Sequence, residues 1–333
     1  MHRLSYTAVL ALLAGCAGGG GSPPATAVAA AEVNQTARPR VAPSHVTPFV
    51  NVAGIKAPHG NQTFVTDAGT ATVTVWGANG QLNAILFDGI NADPQGLTTD
   101  AAQNLYVANI GLSNVIVYAK PYTSIKTTLN DAGENTEDVA VDKTGLVGVT
   151  NYLTSSLMPG SVSFFAKNAT QPCSTVHDPN WIYFYNDAFD ASGNLFIDGR
   201  TAAGATLVGE VSGGCKATSI TTLSVGNTIS TPGGVQVSDG SILIGDVSKQ
   251  AIYTYAPPSG GSLGSPTVVT TLSGAETPVT FAIEENAKHV RTADAAADTL
   301  YAALYTYPKG GYVSKLADHL WAVAVAVYPP ARP

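Results

Sequence analysis

Residues 94–121 have the sequence PQGLTTDAAQNLYVANIGLSNVIVYAKP, and this stretch decides the fold. It contains three short segments with strand character, GLTTD, LYVAN and VIVYA, separated by the polar turns AAQN and GLSN. Alternation of apolar and polar residues is typical of half-buried strands, and Asn, Ser and Gly favour tight turns. The stretch therefore predicts a meander of antiparallel strands.

The same pattern recurs along the chain at a nearly constant spacing. A short polar residue closes the second strand of each copy, and successive copies are 42, 42, 47, 48 and 48 residues apart. These closing residues are Asp67, Asn109, Asn151, Asp198, Asp246 and Asp294. Periods of about 40 to 50 residues are typical of β-propellers, which repeat one four-stranded sheet. The pattern predicts an all-β fold, a six-bladed β-propeller of four-stranded antiparallel blades.

A second set of polar residues closes the first strand of each copy. Its members are Asp100, Asp142, Asp190, Ser238 and Glu285. Asp, Asn and Ser side chains bond to backbone groups two residues further on, and Gly145 or Gly193 can adopt a positive φ. We expect both repeated sets to cap turns rather than to catalyse a reaction.

Three phrases carry a resemblance to known proteins: GLTTDAAQNLYVAN, AFDASGNLFIDG and GGVQVSDGSILIGD. They resemble NHL-repeat propellers and, more loosely, the gluconolactonase-like and strictosidine-synthase-like six-bladed families, over about residues 60–328. The resemblance implies the fold. It implies no single activity, because this superfamily includes lactonases, lyases and pure binding modules.

The N-terminus is predicted to be a bacterial lipoprotein signal peptide, residues 1–15. Met1-His2-Arg3 supplies a positive start, and a short apolar run leads to Leu13-Ala14-Gly15-Cys16. The run is too short to span a bilayer, which takes about 20 residues. Resemblance to a lipobox implies that Cys16 is acylated. The alternative is an ordinary signal peptide in which Cys16 has no role.

Residues 16–45 are rich in Gly, Ala and Pro and predict a flexible tether, followed by the propeller domain at 46–333. We expect the protein to be exported and lipid-anchored to the bacterial cell envelope. Ala17 follows the cysteine, which by resemblance favours the outer membrane or cell surface over the inner membrane. We also expect a monomer.

Two segments compete for the innermost strand of the first blade, FVNVAGI at 49–55 and the C-terminal segment at 320–328. We favour the C-terminal strand, because a ring closed by its first and last segments leaves no exposed seam.

Cys173 and Cys215 are the two cysteines of the mature domain, and they fall in the outer parts of the third and fourth blades. Since exported chains enter an oxidising compartment, we expect a disulfide rather than two free thiols.

In six-bladed propellers, the ligand usually sits at one mouth of the central tunnel, where the innermost strands begin. Counting back from the repeated residues places these pairs at that mouth: Gln95-Gly96, Glu137-Asp138, Tyr185-Asn186, Gly233-Gly234 and Thr280-Phe281, with Asp187 adjacent. The ligand-binding candidates are Gln95, Glu137, Asp138, Asn186 and Asp187.

An oxygen-rich ring of this kind suits Ca²⁺ or another divalent cation. Gluconolactonase-like enzymes hold such a cation with Glu, Asn and Asp, so the resemblance implies Glu137, Asp138, Asn186 and Asp187 as metal ligands. The match is incomplete, because the fifth blade offers only glycines. The other interpretation is a hydrated polar tunnel mouth without metal.

Charge and motifs exclude several classes of function. The chain has 16 Lys and Arg against 23 Asp and Glu and shows no basic stripe, which excludes a nucleic-acid partner. It contains no GxSxG elbow and no P-loop. His177 and His319 are candidates for a lone general base of a lyase, although each is more often a surface residue.

Three functions therefore remain open. The favoured interpretation is an envelope-anchored NHL-like propeller that binds a protein or a carbohydrate. The alternatives are a metal-dependent hydrolase of the gluconolactonase type, acting on a lactone through Glu137, and a structural component of the envelope.

Overall fold

The computed structural model describes residues 61–330 apart from 79, 88, 90, 91, 296–299, 320, 321 and 329. The predicted signal peptide, Cys16, the tether and FVNVAGI lie outside the described residues, so they remain predictions. Within the described residues, no helix is both long enough and apolar enough to cross a bilayer.

Short strands make up almost all of the regular structure. In chain order they are β1 (Gln62–Asp67), β2 (Thr72–Gly77), β3 (Leu82–Phe87), β4 (Pro94–Thr99), β5 (Leu105–Asn109), β6 (Asn114–Tyr118), β7 (Ile125–Asn130), β8 (Glu134–Val141), β9 (Val147–Thr154), β10 (Pro159–Phe165), β11 (Ser174–Val176), β12 (Tyr183–Phe189), β13 (Leu195–Arg200), β14 (Thr206–Val211), β15 (Thr221–Val225), β16 (Pro232–Ser238), β17 (Ser241–Asp246), β18 (Ala251–Tyr255), β19 (Ser262–Gly264), β20 (Val268–Thr271), β21 (Pro278–Ile283), β22 (His289–Ala295), β23 (Leu300–Thr306), β24 (Tyr312–His319) and β25 (Ala322–Tyr328). Single 3₁₀ turns occupy Ile110–Leu112, Gly214–Lys216 and Val247–Lys249.

These strands form six sheets, as the repeat predicted. Listed from the innermost strand outward, the blades are β25-β1-β2-β3, β4-β5-β6-β7, β8-β9-β10-β11, β12-β13-β14-β15, β16-β17-β18-β20 and β21-β22-β23-β24. Every pairing between successive strands within these blades is antiparallel. The fold is therefore the predicted six-bladed β-propeller.

The C-terminal strand closes the ring. β25 pairs antiparallel with β1, from Gln62 opposite Tyr328 to Asp67 opposite Ala322. This confirms the prediction that the last segment supplies the innermost strand of the first blade. Since β25 also adjoins β4 and β21, it completes the inner wall.

One strand was not predicted. The short β19 belongs by sequence to blade five, yet it pairs parallel with β15, the outermost strand of blade four, with Ser224 opposite Ser262. The Gly226 N–H donates to Gly264 O at 2.7 Å and extends this contact. The long connection between β18 and β20 reaches back across the blade boundary and covers an edge that would otherwise be open.

The hydrophobic core lies between the blades. Six clusters of buried side chains occur among the described residues, and each joins two neighbouring blades. Phe64 and Leu105, for example, are fully buried between blades one and two. A twisted sheet is packed on both faces in this arrangement, which explains why β1 is buried along its whole length.

Two structural roles occur among the repeated polar residues. As expected, Asp100, Asp142 and Asp190 cap their own turns, each accepting a backbone N–H from four residues further on at 2.8 Å. Asp246 and Asp294 differ from the expectation. Each binds backbone N–H groups of the segment that leads into the innermost strand of its own blade, because the second strand ends beside that segment.

The predicted disulfide is present. Cys173 and Cys215 are bonded, with their Cα atoms 5.2 Å apart. The bond joins the segment before β11 in blade three to the 3₁₀ turn Gly214–Lys216 in blade four. It therefore ties two neighbouring blades together at their outer parts.

Candidate functional site at the upper mouth of the tunnel

The innermost strands all begin on one face of the ring, which we call the upper face. Because strands alternate in direction, this face also carries the turns between second and third strands and the segments that cross to the next blade. The opposite, lower face is where β1 begins, since Gln62 lies opposite the end of β25.

The five predicted ligand-binding candidates lie at the upper mouth on three adjoining blades. Gln95 is on β4, Glu137 and Asp138 are on β8, and Asn186 and Asp187 are on β12. All except Asp138 are buried, with exposed fractions of 5 to 8%. The other predicted positions, Gly233-Gly234 and Thr280-Phe281, lie on β16 and β21 and add no carboxylate.

The Asp138 side chain lies close to both neighbouring blades, blade four on one side and blade two on the other. Its Oδ2 accepts a hydrogen bond from the Asp187 backbone N–H at 3.2 Å, and its Oδ1 accepts one from Val139 N–H at 2.8 Å. On the other side, a Cβ at Gly96 would collide with the Asp138 side chain and Cα. Because residue 96 is glycine, β4 can approach β8 closely, and the Asp138 side chain fits between the two strands.

Burial makes the carboxyl groups of this site hard to ionise. It raises the pKa of Glu137 well above its usual range, and the charges of Asp93, Asp138 and Asp198 add to the effect. Burial likewise raises the pKa of Asp138 to about 7, although two backbone N–H groups oppose the shift. The pKa of Asp187 is also well above its usual range, through burial and then the charge of Asp138.

Two members of the site were missed by sequence reasoning. Asp93 precedes Pro94, and its Oδ1 accepts from Gln95 Nε2 at 2.7 Å. Asp198 was expected to cap a turn, but its Oδ1 accepts from both the backbone N–H and the side-chain Nδ2 of Asn186. Burial raises the Asp198 pKa to about 7. The repeat had already singled out Asp198, whereas no pattern marked Asp93.

Several buried oxygens at this mouth lack a hydrogen-bond partner of normal geometry. They are both carboxylate oxygens of Asp187, Asp198 Oδ2 and Gln95 Oε1. The Thr150 backbone N–H lies near enough to Asp187 to oppose its pKa shift, but this does not satisfy both oxygens. Since buried acceptors are costly when unpaired, these atoms are suited to a donor or cation from outside the chain.

Three tyrosines line the same mouth nearer to the solvent. Tyr152 stacks on Tyr183, with ring centroids 5.0 Å apart and an interplanar angle of 27°, and lies 5.6 Å from the Tyr185 ring. All three side chains are partly exposed. Tyr185 precedes Asn186 and Asp187 on β12, so aromatic rings lie at the rim and carboxylates lie deeper.

The turn between β9 and β10 adds exposed apolar side chains to the upper face. Leu157 is 75% exposed and Met158 is 60% exposed. This turn follows Tyr152 in the chain, so the exposed apolar side chains and the tyrosines share one side of the mouth.

Neither histidine candidate lies on the same strand or turn as the carboxyl residues of the upper mouth. His177 is exposed on the crossing between blades three and four, with Nδ1 3.3 Å from Gly160 O. His319 is the last residue of β24, the outermost strand of blade six. Among the described residues, no three His, Cys, Asp or Glu side chains converge as metal ligands.

No protein-family model and no curated protein matches the sequence. Solved structures do match. A chain of a nidogen/laminin complex aligns with a TM-score of 0.62 at 15% identity, covering 80% of this chain and 98% of that one. A streptogramin B lyase aligns with a TM-score of 0.55 at 10% identity, covering 79% and 85%. Virginiamycin B lyase from Staphylococcus aureus gives 0.53 at 10% identity, covering 74% and 80%. These likenesses show the fold alone.

Proposed function

We propose that this chain is an exported, lipid-anchored β-propeller that binds a protein or carbohydrate ligand at its upper mouth. One observation carries the proposal: partly exposed tyrosines pack together at the rim, above buried oxygens that have no partner. A binding role also fits the fold, since one of the structural neighbours comes from a nidogen/laminin complex.

The chemistry of the mouth suits recognition. A tyrosine ring offers a large apolar surface for contact with a ligand at low cost in side-chain entropy. Both carboxyl oxygens of Asp187 and the Oδ2 of Asp198 have no hydrogen-bond partner among the described residues, so they are suited to hydrogen bonds with a ligand. Aromatic surface with acceptors beneath it fits both a sugar ring and a peptide side chain.

The exposed turn favours a protein among these ligands. Leu157 and Met158 present apolar surface beside the tyrosines, and exposed apolar patches are typical of protein-binding surfaces. Carboxyl oxygens that form hydrogen bonds with hydroxyl groups favour a carbohydrate ligand instead. Both ligand classes therefore belong in the same experiment.

The test uses the full chain, solubilised in detergent, as bait for envelope extract and for a panel of envelope glycans. We expect Tyr152→Ala to lose the ligand that the wild type retains. Tyr312→Ala is the matched control, because Tyr312 is 52% exposed on β24, the outermost strand of blade six. Equal capture by wild type and Tyr152→Ala would show that the upper mouth is not the binding site.

A second function is favoured by the unpartnered oxygens themselves, namely a metal-dependent hydrolase acting on a lactone. Glu137, Asp138, Asn186 and Asp187 would hold the cation, which when bound would polarise an ester carbonyl. The fit is partial, because Asp187 offers unoccupied oxygens, whereas both oxygens of Asp138 already accept backbone N–H groups. A screen of lactones with the calcium-loaded wild type and Glu137→Ala tests this function, which predicts turnover by the wild type alone.

A further inference from the structure

The carboxyl groups of the upper mouth lie close together without a matching cation. Asp138 and Asp187 are neighbours across a blade boundary, since the Asp187 backbone N–H donates to Asp138 Oδ2 at 3.2 Å. Among the described residues, no Lys, Arg or His side chain lies within salt-bridge distance of Asp138 or Asp187. A buried carboxyl without a counter-charge is costly, so the mouth favours an occupant that brings positive charge.

The positive side chains of the ring lie mainly away from this mouth. Within the described ranges, the lysines and arginines of the upper face are Arg200, at the end of β13, and Lys249, in the turn after β17. Lysines are more frequent in the turns of the lower face, such as Lys120, Lys143 and Lys288. An opening lined by one sign of charge concentrates ligands of the opposite sign, so the upper mouth attracts cations.

Asp187 is the carboxyl best placed to hold the charge of a ligand. Both of its oxygens lack a hydrogen-bond partner of normal geometry, and 5% of the residue is exposed. A guanidinium presents parallel N–H donors that match the two oxygens of one carboxylate, and an ammonium presents three donors. Burial holds the pKa of Asp187 well above its usual range, but an adjacent cation favours the ionised form.

The geometry of the mouth suits an organic cation better than a metal ion. Calcium needs six to eight oxygen ligands around one point. Among the described residues, no three His, Cys, Asp or Glu side chains converge in that way. An ammonium or a guanidinium needs only hydrogen bonds to one or two carboxyl groups.

The tyrosines at the rim lie where the stem of such a cation would pass. Tyr152 stacks on Tyr183 and lies 5.6 Å from the Tyr185 ring, and we call these three the rim tyrosines. Thr150 Oγ1, on the same strand as Tyr152, donates to Tyr185 O at 2.9 Å. Tyr185 precedes Asp187 by two residues, which is about 7 Å along a strand. Aromatic faces attract cations and also cover the apolar stems of lysine and arginine.

We infer that the upper mouth holds an arginine or lysine side chain of a protein partner, with the charged head at Asp187 and the stem against the rim tyrosines. The inference rests on the proposed function and selects a protein ligand over a carbohydrate. The buried residues of the mouth are only 5 to 8% exposed, so its opening suits a thin side chain better than a sugar ring. Leu157 and Met158, exposed beside the rim tyrosines, offer apolar contacts to the rest of the partner.

Capped pentapeptides test the requirement for charge. The probes are Gly-Gly-Xaa-Gly-Gly peptides in which Xaa is arginine, lysine or citrulline, the neutral isostere of arginine. They are titrated into the full chain in detergent and followed by calorimetry. We expect the citrulline peptide to bind about tenfold more weakly than the arginine peptide, or less, because it lacks the charge. Binding of the two cationic peptides should weaken as salt is added.

Variants locate the binding site. Asp187→Asn removes the charge but keeps the shape, and we expect it to weaken binding of the arginine peptide about tenfold or more. Glu276→Gln is the matched control, since it removes one charge from an exposed position on the same face. Tyr152→Ala covers the case in which Asp187→Asn does not fold, and it should also weaken binding of the arginine peptide, whereas Tyr312→Ala should not.

Three results would overturn the inference: no binding of either cationic peptide, equal binding of the citrulline peptide, or unchanged binding by Asp187→Asn. The proposed function survives each of them if Tyr152→Ala still loses a ligand that the wild type captures from the envelope extract or the glycan panel. The proposed function itself fails if capture does not depend on Tyr152.

Discussion

The Asp138 carboxylate accepts a hydrogen bond from the backbone N–H of Asp187 at 3.2 Å, joining β8 of blade three to β12 of blade four. Both residues carry carboxyls whose pKa is raised, chiefly by burial and then, for Asp187, by the charge of Asp138. Two acids thus meet at a blade boundary where ionisation is unfavourable, which links the stability of the ring to pH.

We predict that the protein becomes less stable as pH rises from about 4 to about 8. The pKa of Asp138 and of Asp198 is about 7 in the folded chain against 3.8 for the unperturbed group, so the folded state holds more protons across this window. Stability then falls as pH rises from the unfolded towards the folded pKa. Calorimetry in EDTA measures the effect, and Glu137→Gln should flatten the profile. A melting temperature that rises steadily over this window would contradict the prediction.

Removal of the C-terminal strand should open the ring. Deletion of residues 318–333 takes away β25, which pairs with β1 and buries apolar side chains from Ala322 to Val327. We expect a loss of cooperative unfolding or a fall of more than 10 °C, since a change of 1 kcal/mol shifts the melting temperature of a large domain by about 2–4 °C. Deletion of residues 331–333 alone is the control. An unchanged melting curve for the longer deletion would mean that another segment, such as FVNVAGI, takes the place of β25.

Loss of the disulfide should destabilise the domain without changing its fold. The bond closes a loop with a sequence separation of 42, and the chain-entropy model gives a contribution of about 4 kcal/mol for loops of this size. We expect the double variant Cys173→Ser, Cys215→Ser to melt about 10 °C lower. Reducing agent should lower the melting temperature of the wild type similarly and leave the variant unchanged. If reducing agent affects the variant equally, the disulfide is not the cause.

Lipidation of Cys16 should be visible in the mass of the mature protein. When the full chain is expressed in a bacterium with a lipoprotein pathway, we expect a mature chain that begins at Cys16 and carries two or three acyl chains. Cys16→Ser should move the protein from the membrane fraction to the soluble fraction, because anchoring needs those chains. An unmodified mature chain that starts downstream of residue 16 would indicate an ordinary signal peptide.

Sequence reasoning placed the candidate residues on the innermost strands because strand pairing is local. Asp138 lies opposite Thr150, and Asp198 lies on the strand beside Asn186, so a count from the repeated residues reaches the start of each innermost strand. Counting residues along the chain cannot show where the pairing of two strands shifts in register. Such shifts occur between Thr136 and Asp138 and between Phe184 and Asp187. Counting also missed Asp93, which enters the site only because blades two and three adjoin.

The sequence alone determined the number of blades and most of the strands of each blade, and it favoured β25 as the closing strand and Cys173 and Cys215 as disulfide partners. The number of blades and their strands follow from periodicity and turn chemistry, which act over short distances along the chain. The tertiary structure alone decided which carboxyls are buried together, which oxygens lack donors and where β19 pairs. Such properties depend on desolvation and on contacts between blades that are distant in sequence, and no local pattern encodes them.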